Sequence, residues 1–127
     1  MILLDIDIAI DILRKHPPAV AWIATMREPV CPPGVVVFEL YRGCFNRRAI
    51  DLLHRQLPRF AVLWPSDQFC ARILRQFADA HLTHAAGIID SLIAATAMTH
   101  QVVPLHTFNQ KHFTAFTSLQ TVQPYAR

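Results

Sequence analysis

Asp5, Glu39, Asp90 and Asn109 are the residues of this chain whose types and settings ask for a chemical explanation. The stretch LLDIDIAIDIL, residues 3 to 13, sets Asp5, Asp7 and Asp11 among leucine, isoleucine and alanine. Burying an unpaired carboxylate costs several kcal/mol or forces it to take up a proton. Glu39 interrupts the apolar run VVVFELYRG, Asp90 falls at the start of IIDSLIAATAM, and Asn109 ends HTFN. Three carboxylates and an amide brought together would repel one another and oppose folding unless a cation bound. An all-oxygen set suits a hard cation, Mg²⁺ or Mn²⁺, which keeps several waters, accepts phosphate oxygens and activates a water as nucleophile. The chemistry implied is phosphodiester hydrolysis. Taken singly, Asp5, Asp90 and Asn109 also read as helix caps and Glu39 as a solvent-facing residue.

The elements that must position these residues follow from periodicity. MILLD reads as a short buried strand, and IAIDILRK and AVAWIATMRE read as helices parted by His16, Pro17 and Pro18, where a proline pair ends one helix and starts the next. In VVVFELYRG three consecutive valines favour a strand while Pro32 and Pro33 upstream and the Gly43 stop favour a short helix, the reading preferred; RRAIDLLHRQL reads as a helix, FAVLW as a strand, and DQFCARILRQFADAHL as a long amphipathic helix capped by Ser66 or Asp67. IIDSLIAATAMTH is a further helix, followed by VVPLHT as a strand, NQKHFTAF as a short helix and LQTVQP as a closing strand. Strands alternating with helices predict an α/β fold, an open parallel sheet of about five short strands with helices on both faces, formed by residues 1–127 as a single domain. In such a sheet the ligand crevice lies outside the carboxyl ends of the strands, where Asp5 and Asn109 are placed.

The chain has 127 residues, 53% of them hydrophobic. Its mean hydropathy of +0.27 is high for a small monomer and points to apolar surface covered by a partner, as in a homodimer. No run approaches the length of a membrane span and no signal peptide is evident, so a cytoplasmic protein is expected. Cys31, Cys44 and Cys70 match neither a disulfide framework nor a zinc motif and are expected as buried free thiols. Twelve basic residues face nine acidic ones, and five arginines fall between Glu39 and Phe60. Such a cluster suits phosphate contacts or a solvated helix face.

The blocks LLDID, FELYRG around Glu39, GIIDSLIAATAM around Asp90 and HTFNQKHF resemble the motif blocks of PIN-domain ribonucleases, in particular the VapC toxins of bacterial toxin–antitoxin pairs. Their order and their spacings, 34 residues from Asp5 to Glu39 and 19 from Asp90 to Asn109, are those of the family. The resemblance implies a PIN-like fold and an acidic site that binds one or two Mg²⁺ or Mn²⁺ ions and cuts RNA. Asp5, Glu39 and Asp90 match the family's acidic positions, Asn109 a fourth, and Thr107 would orient the site through its hydroxyl. Asp7 would cap the following helix or support Asp5. Asp11, four residues before Lys15, would form an exposed pair on the solvent face. Arg42, Arg47, Arg48 and Lys111 are candidates for RNA contact. The family usually has threonine where Ile6 stands, and loss of that hydroxyl would weaken support for the site.

The resemblance also implies a cognate antitoxin, with the apolar residues Ile8, Ile12, Leu13, Ala21, Trp22 and Ile23 offering a groove for an antitoxin helix. Two rival readings begin from the same residues. One is a PIN fold left catalytically weak by Ile6 and acting only as an RNA- or antitoxin-binding protein. The other is a phosphatase similar to haloacid dehalogenases, with Asp5 as nucleophile and Asp7 as acid and base, against which stands the lack of a later acidic pair. His81 and His84 have a spacing that zinc can use but no third ligand nearby in sequence.

Overall fold

The structure, a computed structural model, describes residues 1–84 and 86–127. Strand β1 (Leu3–Leu4) pairs in parallel with β2 (Leu105–His106), which pairs in parallel with β3 (Thr121–Val122). The register sets Leu3 against Leu105 and Leu105 against Thr121. Beyond this ladder, parallel bridges join Ile2 to Val30 and Pro33 to Leu63. The sheet therefore has three strands among the described residues where about five were expected. Proline accounts for much of the shortfall, because it cannot donate to a ladder. Pro29, Pro32 and Pro33 surround the segment that would extend the Ile2 edge, and Pro104 stops VVPLHT from pairing before Leu105. FAVLW contributes its bridge at Leu63 alone.

Among the described residues six α-helices surround the sheet: α1 (Ile6–Leu13), α2 (Pro17–Ala24), α3 (Gly34–Arg42), α4 (Arg47–Gln56), α5 (Asp67–Ala80) and α6 (Ile88–His100). Their boundaries follow local chemistry. Pro17 opens α2, Gly43 closes α3, the Asn46 side chain caps α4 by accepting from Ala49 N–H, and Ser66 caps α5 by accepting from Phe69 N–H. NQKHFTAF forms a single 3₁₀ turn, Gln110–Phe113.

Alternation along β1 separates two cores. Leu3 points to one face, packed with Val36 of α3, Ile73 of α5, Ile93 and Ala94 of α6, and Phe113 and Phe116. Ile2 and Leu4 point to the other, with Ile8 and Ile12 of α1 and Trp22 of α2. Helices thus cover both faces, as a parallel sheet requires. Ala94, Ala95 and Ala97 are almost wholly buried and let α6 approach its neighbours closely. Ile8 is fully buried and Trp22 packs its ring 5.1 Å from His106, so neither is free to line an outer groove as expected. Ile12, Ala21 and Ile23 do line an open groove, with Val20 and Phe60. The three cysteines are free thiols, Cys31 buried and the other two half-buried. No helix among the described residues is long and apolar enough to cross a membrane.

Candidate active site

Parallel pairing brings the carboxyl ends of β1 and β2 side by side. Asp5 follows β1 and continues the ladder, its N–H donating to His106 O at 3.0 Å; Thr107 follows β2 and donates to Val122 O at 3.0 Å. The two side chains meet there, Thr107 Oγ1 donating to Asp5 Oδ2 at 2.7 Å while Asp5 Oδ1 accepts from Ile6 N–H at 2.7 Å. Asp5 is 2% exposed. Burial pushes its carboxyl up to about 6; the Thr107 and Ile6 bonds oppose the rise, and the charges of Asp7 and Asp90 add to it.

Asp90 reaches this edge from the first turn of α6. Its Oδ2 accepts from Gly87 N–H at 3.1 Å, so it does cap its own helix, and lies 3.5 Å from His112 Nδ1. Glu39, on α3, is half-buried and its carboxyl is raised, first by burial and further by Asp90, with Arg42 opposing. Asp90 therefore lies between Asp5 and Glu39 electrostatically, since its charge is felt by both. Asn109 is tied into the loop after β2: its N–H donates to Thr107 Oγ1 at 2.9 Å and its Nδ2 to Asp7 Oδ2 at 3.3 Å.

Asp7 is buried and faces that same loop. Its Oδ2 accepts from Phe108 N–H at 2.9 Å and its Oδ1 from Ile8 N–H at 2.7 Å. Burial raises its carboxyl; these two bonds and the Arg127 guanidinium oppose. Asp11 overturns the expectation of an exposed pair with Lys15. It is 9% exposed, and accepts from Tyr125 Oη at 2.8 Å and from Arg127 Nη2 at 3.1 Å. The reason is helical spacing: Asp7 and Asp11, four residues apart, share a face of α1, so a residue below Asp7 cannot look to solvent. Tyr125, Arg127 and Phe108 went unnoticed in the sequence, although this spacing was the signal that Asp11 needed a partner.

Ile6 is half-buried against the core that holds Leu3. Arg42, Arg47, Arg48 and Lys111 are all exposed. Arg42 stands on the helix of Glu39 and Lys111 in the turn of His112, while Arg47 and Arg48 open α4. His81 stacks on Phe77 and His84 meets Thr83.

The donors around Asp5 are carboxylate, amide and hydroxyl oxygens, which fit a hard cation in kind, and the raised carboxyls of Asp5 and Glu39 fit a site whose charge calls for one. Among the described residues no group of three or more His, Cys, Asp or Glu side chains is already arranged to hold an ion.

Residues 2–117 match the PIN domain family. The chain belongs to that family. Over 126 residues, 94% of this PIN domain and 98% of the relative, it is 34% identical to ribonuclease VapC19 of Mycobacterium tuberculosis. It superposes on the crystal structure of FitAcB from Neisseria gonorrhoeae with a TM-score of 0.70 at 28% identity, covering 98% of each chain. VapBC-1 from nontypeable Haemophilus influenzae gives a TM-score of 0.76 at 25% identity, covering 97% of this PIN domain and 98% of that chain. The phosphatase reading of Asp5 and Asp7 falls with the family match, and Asp7 is in any case engaged by the backbone of the loop after β2.

Proposed function

We propose that this PIN domain is a Mg²⁺- or Mn²⁺-dependent endoribonuclease of the VapC toxin type, held inactive by a cognate antitoxin in the cytoplasm. One observation carries the reading: a buried aspartate at the carboxyl edge of a parallel sheet, raised to about 6, is surrounded by the charges of further carboxylates. Asp5, Asp90 and Glu39 would hold the ion, and Asn109 would complete the site. When bound, the ion supplies a Lewis acid for phosphate oxygens and lowers the pKa of a water. Thr107 keeps Asp5 Oδ2 oriented. Attack of water on phosphorus with departure of the 3′ oxygen leaves a 5′-phosphate and a 3′-hydroxyl. Arg42 and Lys111, exposed near Glu39 and Asp90, are suited to the flanking phosphates, with Arg47 and Arg48 further along.

The antitoxin is inferred from the likeness of the motif blocks to VapC toxins and from the groove lined by Ile12, Val20, Ala21, Ile23 and Phe60. Exposed Phe38, Leu74 and Ile88 give further apolar surface, in keeping with a homodimer. The test is expression of the chain in bacteria with and without the product of its neighbouring gene, together with cleavage of RNA by the purified chain in Mg²⁺ and in EDTA. Growth arrest relieved by the neighbour and cleavage lost in EDTA are expected. A chain that folds and binds RNA without cutting it would leave the binding-only reading in its place.

A further inference from the structure

Tyr125 and Arg127 belong to the segment that follows β3, remote in sequence from every acidic site residue, yet they connect to Asp5 through an unbroken series of contacts. Tyr125 Oη and Arg127 Nη2 both donate to Asp11. The Arg127 guanidinium lies 4.7 Å over the Phe108 ring, and Tyr125 meets that ring edge-on at 5.1 Å. Phe108 N–H and Asn109 Nδ2 hold Asp7, Asn109 N–H holds Thr107 Oγ1, and Thr107 Oγ1 holds Asp5.

We infer that Asp11, Tyr125 and Arg127 form a clamp of positioning residues that fixes the Phe108–Asn109 loop, and through it the orientation of Asp5, for binding the divalent ion. The inference rests on the ion-dependent reading above. Electrostatics give the clamp its form. Asp7 and Asp11 are like charges on one helix face, both buried, and Arg127 serves both, by hydrogen bond to Asp11 and by its field at Asp7. Guanidinium suits this position because its charge lies over the Phe108 ring while one of its nitrogens donates to the carboxylate. Polar clamps of this kind add little stability over an apolar substitute, but they define one geometry. What they define here is the loop that carries Asn109 and flanks Thr107.

The experiment compares the full chain with Tyr125→Phe, Arg127→Ala and Arg127→Lys. In metal-free protein, amide hydrogen exchange at Phe108 and Asn109 is expected to quicken about 10-fold in Arg127→Ala, with the Asp5 amide in the ladder unchanged. Mn²⁺ affinity, measured by calorimetry without RNA, is expected to fall about 10-fold, as for supports of a metal ligand. Tyr125→Phe, the mildest change, should show the same pattern to a smaller extent, and Arg127→Lys, which keeps the charge but loses the planar fork, should recover only part of the affinity. A loss of thermal stability with exchange at 108–109 and Mn²⁺ affinity both within about twofold of the parent would overturn the clamp and leave the segment a structural tie. A parent chain that takes up no Mn²⁺ would sink the ion-site reading instead; the exchange rates then decide the clamp alone.

Discussion

Asp5→Asn is expected to abolish RNA cleavage and yet make the protein more stable. The magnitude follows from the carboxyl's rise from 3.8 to about 6 on folding. At about 1.4 kcal/mol per pH unit, a rise of about two units makes the ionised form roughly 3 kcal/mol less favourable in the folded chain than in the unfolded one. Below pH 3.8 the group is protonated in both states and that cost is absent. As pH rises the unfolded chain ionises first, so stability is lost across the window from 3.8 to about 6 and the loss is complete above it. Asparagine never ionises. It can accept from Ile6 N–H through its oxygen and donate to Thr107 Oγ1 through its nitrogen, and the charge-assisted bonds it gives up are already contained in the net rise, which they oppose. A net gain of about 2–3 kcal/mol is expected at pH 7.5 in EDTA, a Tm several degrees higher, shrinking to nothing near pH 4. Thermal unfolding of both proteins at the two pH values, monitored by circular dichroism, measures it. A variant no more stable than the parent at pH 7.5, or a difference that ignores pH, would refute the claim that Asp5 is a strained, cation-seeking carboxylate.

Glu39→Gln and Asp90→Asn should each lower cleavage more than about 100-fold in an RNase assay, exceeding the effect of losing an outer support, and should leave circular dichroism unchanged because the Asp90→Asn amide oxygen can still accept from Gly87 N–H. Ile6→Thr exchanges half-buried apolar surface for a hydroxyl and is expected to cost about 1 kcal/mol in denaturant unfolding, with a rise in Mn²⁺ affinity only if the new hydroxyl reaches the site. Gly34→Ala would drive a Cβ into the Trp64 ring; about 1–3 kcal/mol of destabilisation is expected, with a shift in tryptophan fluorescence as the half-exposed indole swings away.

Most helices were legible because their signals are local: the proline pair before α2, Gly43 after α3 and Ser66 before α5 each act on the backbone within a few residues. The sheet was harder. A strand of two residues has no periodicity to read, and whether Leu63 extends a ladder depends on a segment 30 positions away, where Leu63 N–H donates to Pro32 O and Gly34 N–H donates back to Leu63 O around Pro33, and the pairing ends there. The acidic positions could be named from their motifs, but their partners could not. Thr107 was found because it lies in the same block as Asn109, whereas Tyr125 and Arg127 share no motif with Asp11 and are brought to it by the path of the chain after β3.

Asp5, Asp7 and Asp11 form a comparison within one molecule. All three are buried in the same short segment, so burial alone would raise all three. Burial does act on Asp11, but the Tyr125 hydroxyl and the Arg127 guanidinium outweigh it and hold that carboxyl below its usual range. Asp7, which feels Arg127 from further off and has two backbone donors, stays raised. Asp5 has its two hydrogen bonds, but the charges that reach it are those of Asp7 and Asp90, both negative. The fold thus supplies a cation to the aspartate that anchors the segment after β3, and sets the one at the carboxyl edge of the sheet among like charges. The charge missing at Asp5 is the one a divalent ion from solution would bring.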